Sequence, residues 1–116
     1  MSMKLSEIRK ALDAEIIVGH DKLDLEITGG AASDLMSDLL RNPKRGALML
    51  TGLSSSQVIR TAIIADMTAV VLVRGKTPDT KMTELARAYE LPLLTTPFNM
   101  YSSVGILYGI GLRSIR

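Results

Sequence analysis

The chain has 116 residues, 47% hydrophobic and 22% charged, with a formal net charge of +2. These proportions suit one globular domain, and no apolar run approaches the ~18 residues of a bilayer-spanning helix, so a disordered chain and a membrane span are both excluded as expectations. With no cysteine and one histidine, disulfides, thiolate metal sites, a cysteine nucleophile and a multi-histidine metal centre are excluded.

Met1-Ser2-Met3-Lys4 leads directly into an amphipathic pattern without an apolar leader, which predicts a cytoplasmic protein. A short helix is expected over residues 7–12, with Ser6 as its cap and Leu5, Ile8 and Leu12 on one face. The β-branched run Glu15-Ile16-Ile17-Val18 predicts a strand, followed by a turn at Gly19-His20-Asp21. Strict alternation through Leu23, Asp24, Leu25, Glu26 and Ile27 predicts a second strand with one wet face, at a sheet edge or in an antiparallel pair. It ends at Gly29-Gly30, where the backbone can turn or approach another group closely. Ser33 or Asp34 then caps a two-turn helix with Leu35, Met36, Leu39 and Leu40 facing inward, and Asn42-Pro43 stops it.

From there the pattern is regular. Ala47-Leu48-Met49-Leu50, Ala69-Val70-Val71-Leu72-Val73 and Leu91-Pro92-Leu93-Leu94 are apolar runs separated by amphipathic helical stretches, which predicts βαβαβ with parallel strands. The first linking helix opens at Ser54-Ser55-Ser56 and buries Val58, Ile59, Ala62, Ile63 and Ala65. Ile64 falls off that stripe beside Arg60 and Thr61 and suggests a partner surface. The second is capped by Thr77, with Pro78 in its first position, Asp79 in its first turn, and Met82, Leu85, Ala86 and Tyr89 inward. A last helix starts at Asn99 with Met100, Val104, Leu107 and Tyr108 on its stripe and Gly105 and Gly109 on its flank; Gly111 stops it before a frayed tail over 112–116. The expected fold is therefore α/β: one two- or three-layer domain with a mostly parallel sheet, a short N-terminal helix and an edge strand.

Ligands of open parallel sheets bind beyond the carboxyl ends of the strands. Three segments gather there: Thr51-Gly52-Leu53-Ser54, Arg74-Gly75-Lys76 and Thr95-Thr96-Pro97. Their hydroxyls, flexible backbone and two cations suit an anion, and helix N-termini reinforce that preference. Serine, threonine and glycine also serve capping and turn geometry, so convergence is what points to a site. Gly52-Leu53-Ser54-Ser55-Ser56 lacks the Lys-Ser/Thr pair of a P-loop, and Gly29-Gly30-Ala31-Ala32-Ser33 lacks G-x-G-x-x-G spacing but can cradle a phosphate or pack on another subunit. Asp34 and Asp38, one turn apart, read as a solvated face rather than a metal site, His20 as a surface imidazole, and the methionines as core filler. No nucleophile and base stand at a recognised spacing, so no enzyme, cofactor or metal is expected. Aromatics at 3% and interspersed charges give no stripe for nucleic acid.

The stretch 27–38, Ile-Thr-Gly-Gly-Ala-Ala-Ser-Asp-Leu-Met-Ser-Asp, resembles the signature region of the DRTGG domain family. Leu50-Thr51-Gly52-Leu53, Gln57-Val58-Ile59-Arg60-Thr61-Ala62, Val73-Arg74-Gly75 and Pro92-Leu93-Leu94-Thr95-Thr96 extend the resemblance over nearly the whole chain. Thr28-Gly29-Gly30 matches the last letters of the family name, while Glu26-Ile27 stands where the name has Asp-Arg. Residues 70–75 and 93–101 are also similar to the N-terminal domain of HPr kinase/phosphorylase, whose phosphoryl transfer belongs to a P-loop domain that these 116 residues do not contain.

The resemblance implies one DRTGG-like domain over 1–116, with an ordered core at about 4–111. It also implies an accessory or regulatory unit of the kind that accompanies phosphotransacetylases and CBS-containing pyrophosphatases, and homodimerisation. Together the readings predict a non-enzymatic homodimer that senses a small anionic metabolite, such as a nucleotide or phosphorylated compound. The candidate site residues are Gly29, Gly30, Ser33, Asp34, Thr51, Gly52, Arg74, Gly75, Thr95 and Thr96. The alternative is a ligand-free interaction module accessory to a larger metabolic enzyme.

Overall fold

The structure is a computed structural model and describes residues 2–115. In chain order its elements are β1 (Met3–Lys4), α1 (Leu5–Ala11), β2 (Glu15–Val18), β3 (Glu26–Ile27), β4 (Gly29–Ala32), α2 (Met36–Leu39), β5 (Ala47–Thr51), α3 (Ser56–Ile64), β6 (Ala69–Leu72), α4 (Thr80–Ala88), β7 (Leu93–Thr95) and α5 (Met100–Gly109). The three apolar runs form the middle of a five-stranded sheet of order β2-β7-β6-β5-β4. Its last four strands are parallel, and β2 runs antiparallel to β7 at one edge. All residues of β5 and β6 are buried, as strands covered on both faces must be.

The pleat divides the core into two layers. Met49, Val70, Leu72 and Leu93 pack with Val58, Ile59, Met82 and Met36 of α3, α4 and α2. Leu48, Leu50, Val71 and Leu94 pack on the opposite face with Leu5, Ile8, Leu12 and Leu107 of α1 and α5. The expected α/β architecture is thus realised as three layers, with β4 following the Glu26–Ile27 strand directly. That strand pairs antiparallel with Met3–Lys4 in a separate ribbon, so the alternating segment forms the expected antiparallel pair but only over its last two residues.

Several local expectations are corrected. Helix α1 starts before Ser6, with Lys4 at its cap and no side-chain hydrogen bond there. Gly29-Gly30 is not a loop: both residues are in β4, beside β5. Helix α2 is a single turn without a side-chain cap, because Ser33 Oγ accepts from Leu35 N–H and Asp34 turns elsewhere. Leu35 (58%) and Leu40 (44%) are exposed, since one turn can bury only Met36 and Leu39. In α3 the N-cap is Ser55, Ile63 faces solvent beside Ile64, and Thr61 is buried in its place. Helix α4 is capped by Asp79, which accepts from Met82 N–H, so Thr77 and Pro78 lie outside it and Tyr89 is exposed at its C-cap. Asn99 caps α5 as expected, but Val104 and Tyr108 face outward.

Of the tail predicted to fray, residues 112–115 are ordered, and Arg116 lies outside the described residues. Arg113 C=O accepts from Gly30 N–H at 2.9 Å, Ile115 N–H donates to Gly30 C=O at 3.0 Å, and Leu112 is buried. Residues 113–115 thus lie along the free edge of β4, and a Cβ at position 29 would come within 3.1 Å of the Arg113 carbonyl. The close approach expected of the glycine pair is to the chain's own C-terminal backbone.

Three helices end in a left-handed residue that is not glycine: Asp13, Asp66 and Glu90, at φ of +48°, +60° and +53°. Each follows a C-cap, and each sets a carboxylate at the negative end of a helix dipole. A left-handed L-residue costs about 1–2 kcal/mol, while the exposed Lys22–Glu90 ion pair gives back little. Glu90→Gly is therefore expected to stabilise the fold by about 1 kcal/mol, after the larger chain entropy of glycine is set against the relieved strain. Urea denaturation should return a higher midpoint with an unchanged slope.

Candidate functional site

Because β4 to β7 are parallel, their carboxyl ends share one rim, and the residues just beyond them meet there. Ser33 N–H donates to Leu50 C=O at 3.1 Å and carries the chain off the end of β4 beside β5. This places Asp34 over the exit of β5. Its Oδ1 accepts from Gly52 N–H at 2.6 Å and from the Thr51 hydroxyl at 3.1 Å. Thr51 is fully buried, and its Oγ1 also accepts from Leu53 N–H, so the hydroxyl braces both the loop and the carboxylate. Among the described residues, Asp34 Oδ2 receives no hydrogen bond.

Arg74 arrives from the next strand in a tight turn. Arg74 and Gly75 have φ of +62° and +64°, and Lys76 N–H reaches back to Val73 C=O at 3.4 Å. Two consecutive positive φ angles are the pattern of a type I′ turn, which favours Asn-Gly and disfavours a long side chain in its first central position. The turn is tied to the β7–α5 connection, with Arg74 N–H donating to Phe98 C=O at 2.7 Å and Gly75 N–H to Thr96 C=O at 2.8 Å. The Arg74 side chain spans to β5: Nη2 stands 2.8 Å from where a Cβ on Gly52 would sit, with the Asp34 oxygens 3.4 and 3.5 Å from the same point. Glycine at 52 is what leaves room for a guanidinium and a carboxylate on one side of the backbone. Arg74 is exposed and takes part in none of the three ion pairs among the described residues.

The rest of the predicted set lies apart from this cluster. The Thr95 hydroxyl donates to Lys76 C=O and the buried Thr96 hydroxyl to Leu12 C=O, so both are engaged in holding backbone. With Gly75 they line a second cleft of about 360 Å³, together with Asp13, Glu15 and Lys76. Gly29 and Gly30 are occupied by the C-terminal segment, and the Ser33 hydroxyl by its own turn. Asp34 stands outside α2 and does not share a helix turn with Asp38, and no group of three metal-ligating side chains occurs among the described residues. His20 is exposed in the turn that follows β2.

Two surfaces escaped the sequence reading. One is an apolar cavity of about 200 Å³ between β4 and α5, lined by Gly30, Ala32, Leu50, Leu107, Tyr108 and Leu112 among others. Its sequence signal is the small residues Gly30 and Ala32, which leave space between β4 and α5. The other is the outer face of α5, where Phe98, Tyr101, Val104 and Tyr108 flank Gly105 and Gly109. Tyr101 is 89% exposed, and a Cβ on either glycine would meet nothing within 4 Å.

Chemically, the guanidinium of Arg74 can pair with an oxyanion, and the open Asp34 oxygen can accept from a hydroxyl or amino group.

Comparison with known proteins gives two positive findings. The family model described as the DRTGG domain matches residues 7–109. Among solved structures, the chain is similar to the CBS and DRTGG domains of the regulatory region of Clostridium perfringens pyrophosphatase, a complex with its activator diadenosine tetraphosphate. The TM-score is 0.74 at 17% identity, covering 90% of this chain and 45% of that one. The chain therefore spans less than half the length of that regulatory region, and the likeness is one of fold. No curated protein matches the sequence.

Proposed function

The chain belongs to the DRTGG domain family, and from that membership we propose that it is a non-catalytic regulatory domain that senses a small anionic metabolite, a nucleotide or phosphorylated compound, as a homodimer. The observation that carries this reading is the convergence of Arg74 and Asp34 over Gly52, without an ion pair between them. An arginine held at positive φ is strained by about 1–2 kcal/mol, and the strain sets an otherwise unpaired guanidinium on the ligand rim. The similar pyrophosphatase region, whose bound activator is a nucleotide, supports the ligand class. The test is thermal denaturation with and without phosphate or AMP, on the parent and on Arg74→Ala.

Homodimerisation draws its support from α5. No charged residue stands between Leu91 and Leu112, and the nearest charge, Arg113, lies at the Tyr108 end of the face, so two copies can meet across a twofold axis about Tyr101 and Gly105 with little like-charge repulsion. Gly105 and Gly109 each weaken the helix by about 1 kcal/mol relative to alanine, and no contact within the protomer requires them. Light scattering at micromolar concentration should return twice the 12.6 kDa chain mass. Tyr101→Glu, which places a charge at the most exposed apolar residue of the face, should reduce that mass to one chain, and a parent already at 12.6 kDa would refute the dimer.

The same apolar face favours a second reading, a ligand-free module that docks on a larger metabolic enzyme. It is preferred if the parent shows no thermal response to any anion and runs as a single chain.

A further inference from the structure

We infer that the cavity between β4 and α5 is a ring-binding subsite continuous with the Asp34–Arg74 pole, so that the site takes a compact nucleotide with its base in the cavity and its phosphate at Arg74. The inference rests on the proposed anion site for one pole only; the ring subsite stands on separate geometry.

That geometry follows from the pleat. Leu50 lines the cavity, and Gly52, two residues further along the chain, has its absent Cβ directed at Arg74 Nη2 and the Asp34 carboxylate. Ala32 lines the cavity too, and Asp34 is two residues beyond it. Both segments therefore pass from an apolar floor to a charged rim within two residues, at most about 7 Å of chain, a span that a mononucleotide bridges between ring and phosphate. The cavity exists because β4 offers only Gly30 and Ala32 on the face toward Leu107 and Tyr108, Ala31 packing on the other side of the sheet; larger residues at 30 or 32 would fill it. Its apolar lining, with an aromatic wall, suits a planar ring.

The aromatic wall is held in place. The Arg113 guanidinium lies 4.1 Å from the centre of the Tyr108 ring and donates to the Tyr108 carbonyl at 2.9 Å. Arg113 is itself fixed by the bond from Gly30 N–H, so the pairing of the C-terminal segment with β4 closes one end of the cavity. Asp34 Oδ2 stands over Gly52 on the Arg74 side of the rim and, among the described residues, receives no hydrogen bond, which leaves it able to accept from a sugar hydroxyl.

The test is calorimetric titration of the full chain with inorganic phosphate, AMP and adenosine, on the parent, Ala32→Phe and Arg74→Ala. The parent should bind AMP at least tenfold more tightly than phosphate. Ala32→Phe, which fills the cavity from an exposed strand end, should bring AMP to the level of phosphate and leave phosphate unchanged. Equal affinities of the parent for AMP and phosphate, or unaltered AMP binding by Ala32→Phe, would overturn the subsite. Amide resonances of Ala31, Ala32 and Tyr108 in the unsubstituted chain provide an independent readout: adenosine alone should shift them. If phosphate fails to bind while adenosine still moves those amides, the anion reading falls and the ring subsite holds. If phosphate binds through Arg74 and adenosine moves none of them, the ring subsite falls and the anion site holds.

Discussion

Arg74→Ala is expected to abolish stabilisation by phosphate or AMP while leaving the ligand-free melting temperature unchanged or slightly higher. The two halves of that result come from different parts of the same residue. A ligand present at a hundredfold excess over its Kd stabilises a one-site protein by about 2.7 kcal/mol. For a domain of this size that is roughly 10–20 °C in melting temperature, at about 4–8 °C per kcal/mol. Removing the guanidinium removes the charge-assisted bonds on which that binding depends. The backbone of position 74 is held by its bond to Phe98 C=O, which alanine retains, and a shorter side chain makes no new contact. Asp34 keeps its two bonds to Gly52 and Thr51, so no buried charge is orphaned. Equal thermal responses of parent and variant would remove Arg74 from the site.

Leu48→Ala should have the largest effect on the fold itself, lowering stability by about 2–5 kcal/mol. Leu48 is completely buried in β5, with Gly30 opposite it on one side and Ala69 on the other. Neither neighbour in the sheet carries enough side chain to close over the space a truncated leucine leaves, so the cavity persists. It faces the layer of Leu5, Ile8 and Leu12, which α1 contributes to the core. Denaturant titration should show the loss as a lower midpoint, and a change below about 1 kcal/mol would mean that α1 can settle onto the sheet more freely than its packing suggests.

The parts of the fold that the sequence made legible are those whose cause is local or periodic. β5 and β6 are recognisable because continuous apolar runs bounded by helical patterns have few alternatives, and Asn99 caps α5 because a side-chain oxygen answers free N–H groups a turn away. β4 was hidden for the opposite reason. Gly29-Gly30-Ala31-Ala32 has little intrinsic preference for a strand, and its conformation is set by β5 on one side and by residues 113–115 on the other. Reading Asp34 as a helix cap failed for a similar reason, since its bond to Gly52 N–H joins residues 18 apart and outcompetes the cap three residues away.

Which residues gather at the rim was legible, but not how the candidate set divides. Parallel strands guarantee a common rim, so Asp34, Thr51, Gly52 and Arg74 were all within the predicted set. Thr95 and Thr96 have the same residue types at the same rim, yet their hydroxyls hold the Lys76 and Leu12 carbonyls. Only tertiary contacts decide whether such a hydroxyl braces distant backbone, as at Thr95 and Thr96, or a carboxylate on the rim, as Thr51 braces Asp34. The exposure of Val104 and Tyr108 was equally invisible, because a helix that is apolar on most of its circumference does not declare which side faces the sheet.

The most direct test of the anion site is a ¹H–¹⁵N titration of the full chain with inorganic phosphate. The largest shifts should fall on the amides of Gly52, Arg74 and Gly75 and on the Arg74 side-chain Nε–H, saturating together with one Kd. Shifts that are uniform over the surface, or concentrated at the other cleft around Lys76 and Thr95 while Gly52 and Arg74 stay still, would contradict a site built across Gly52.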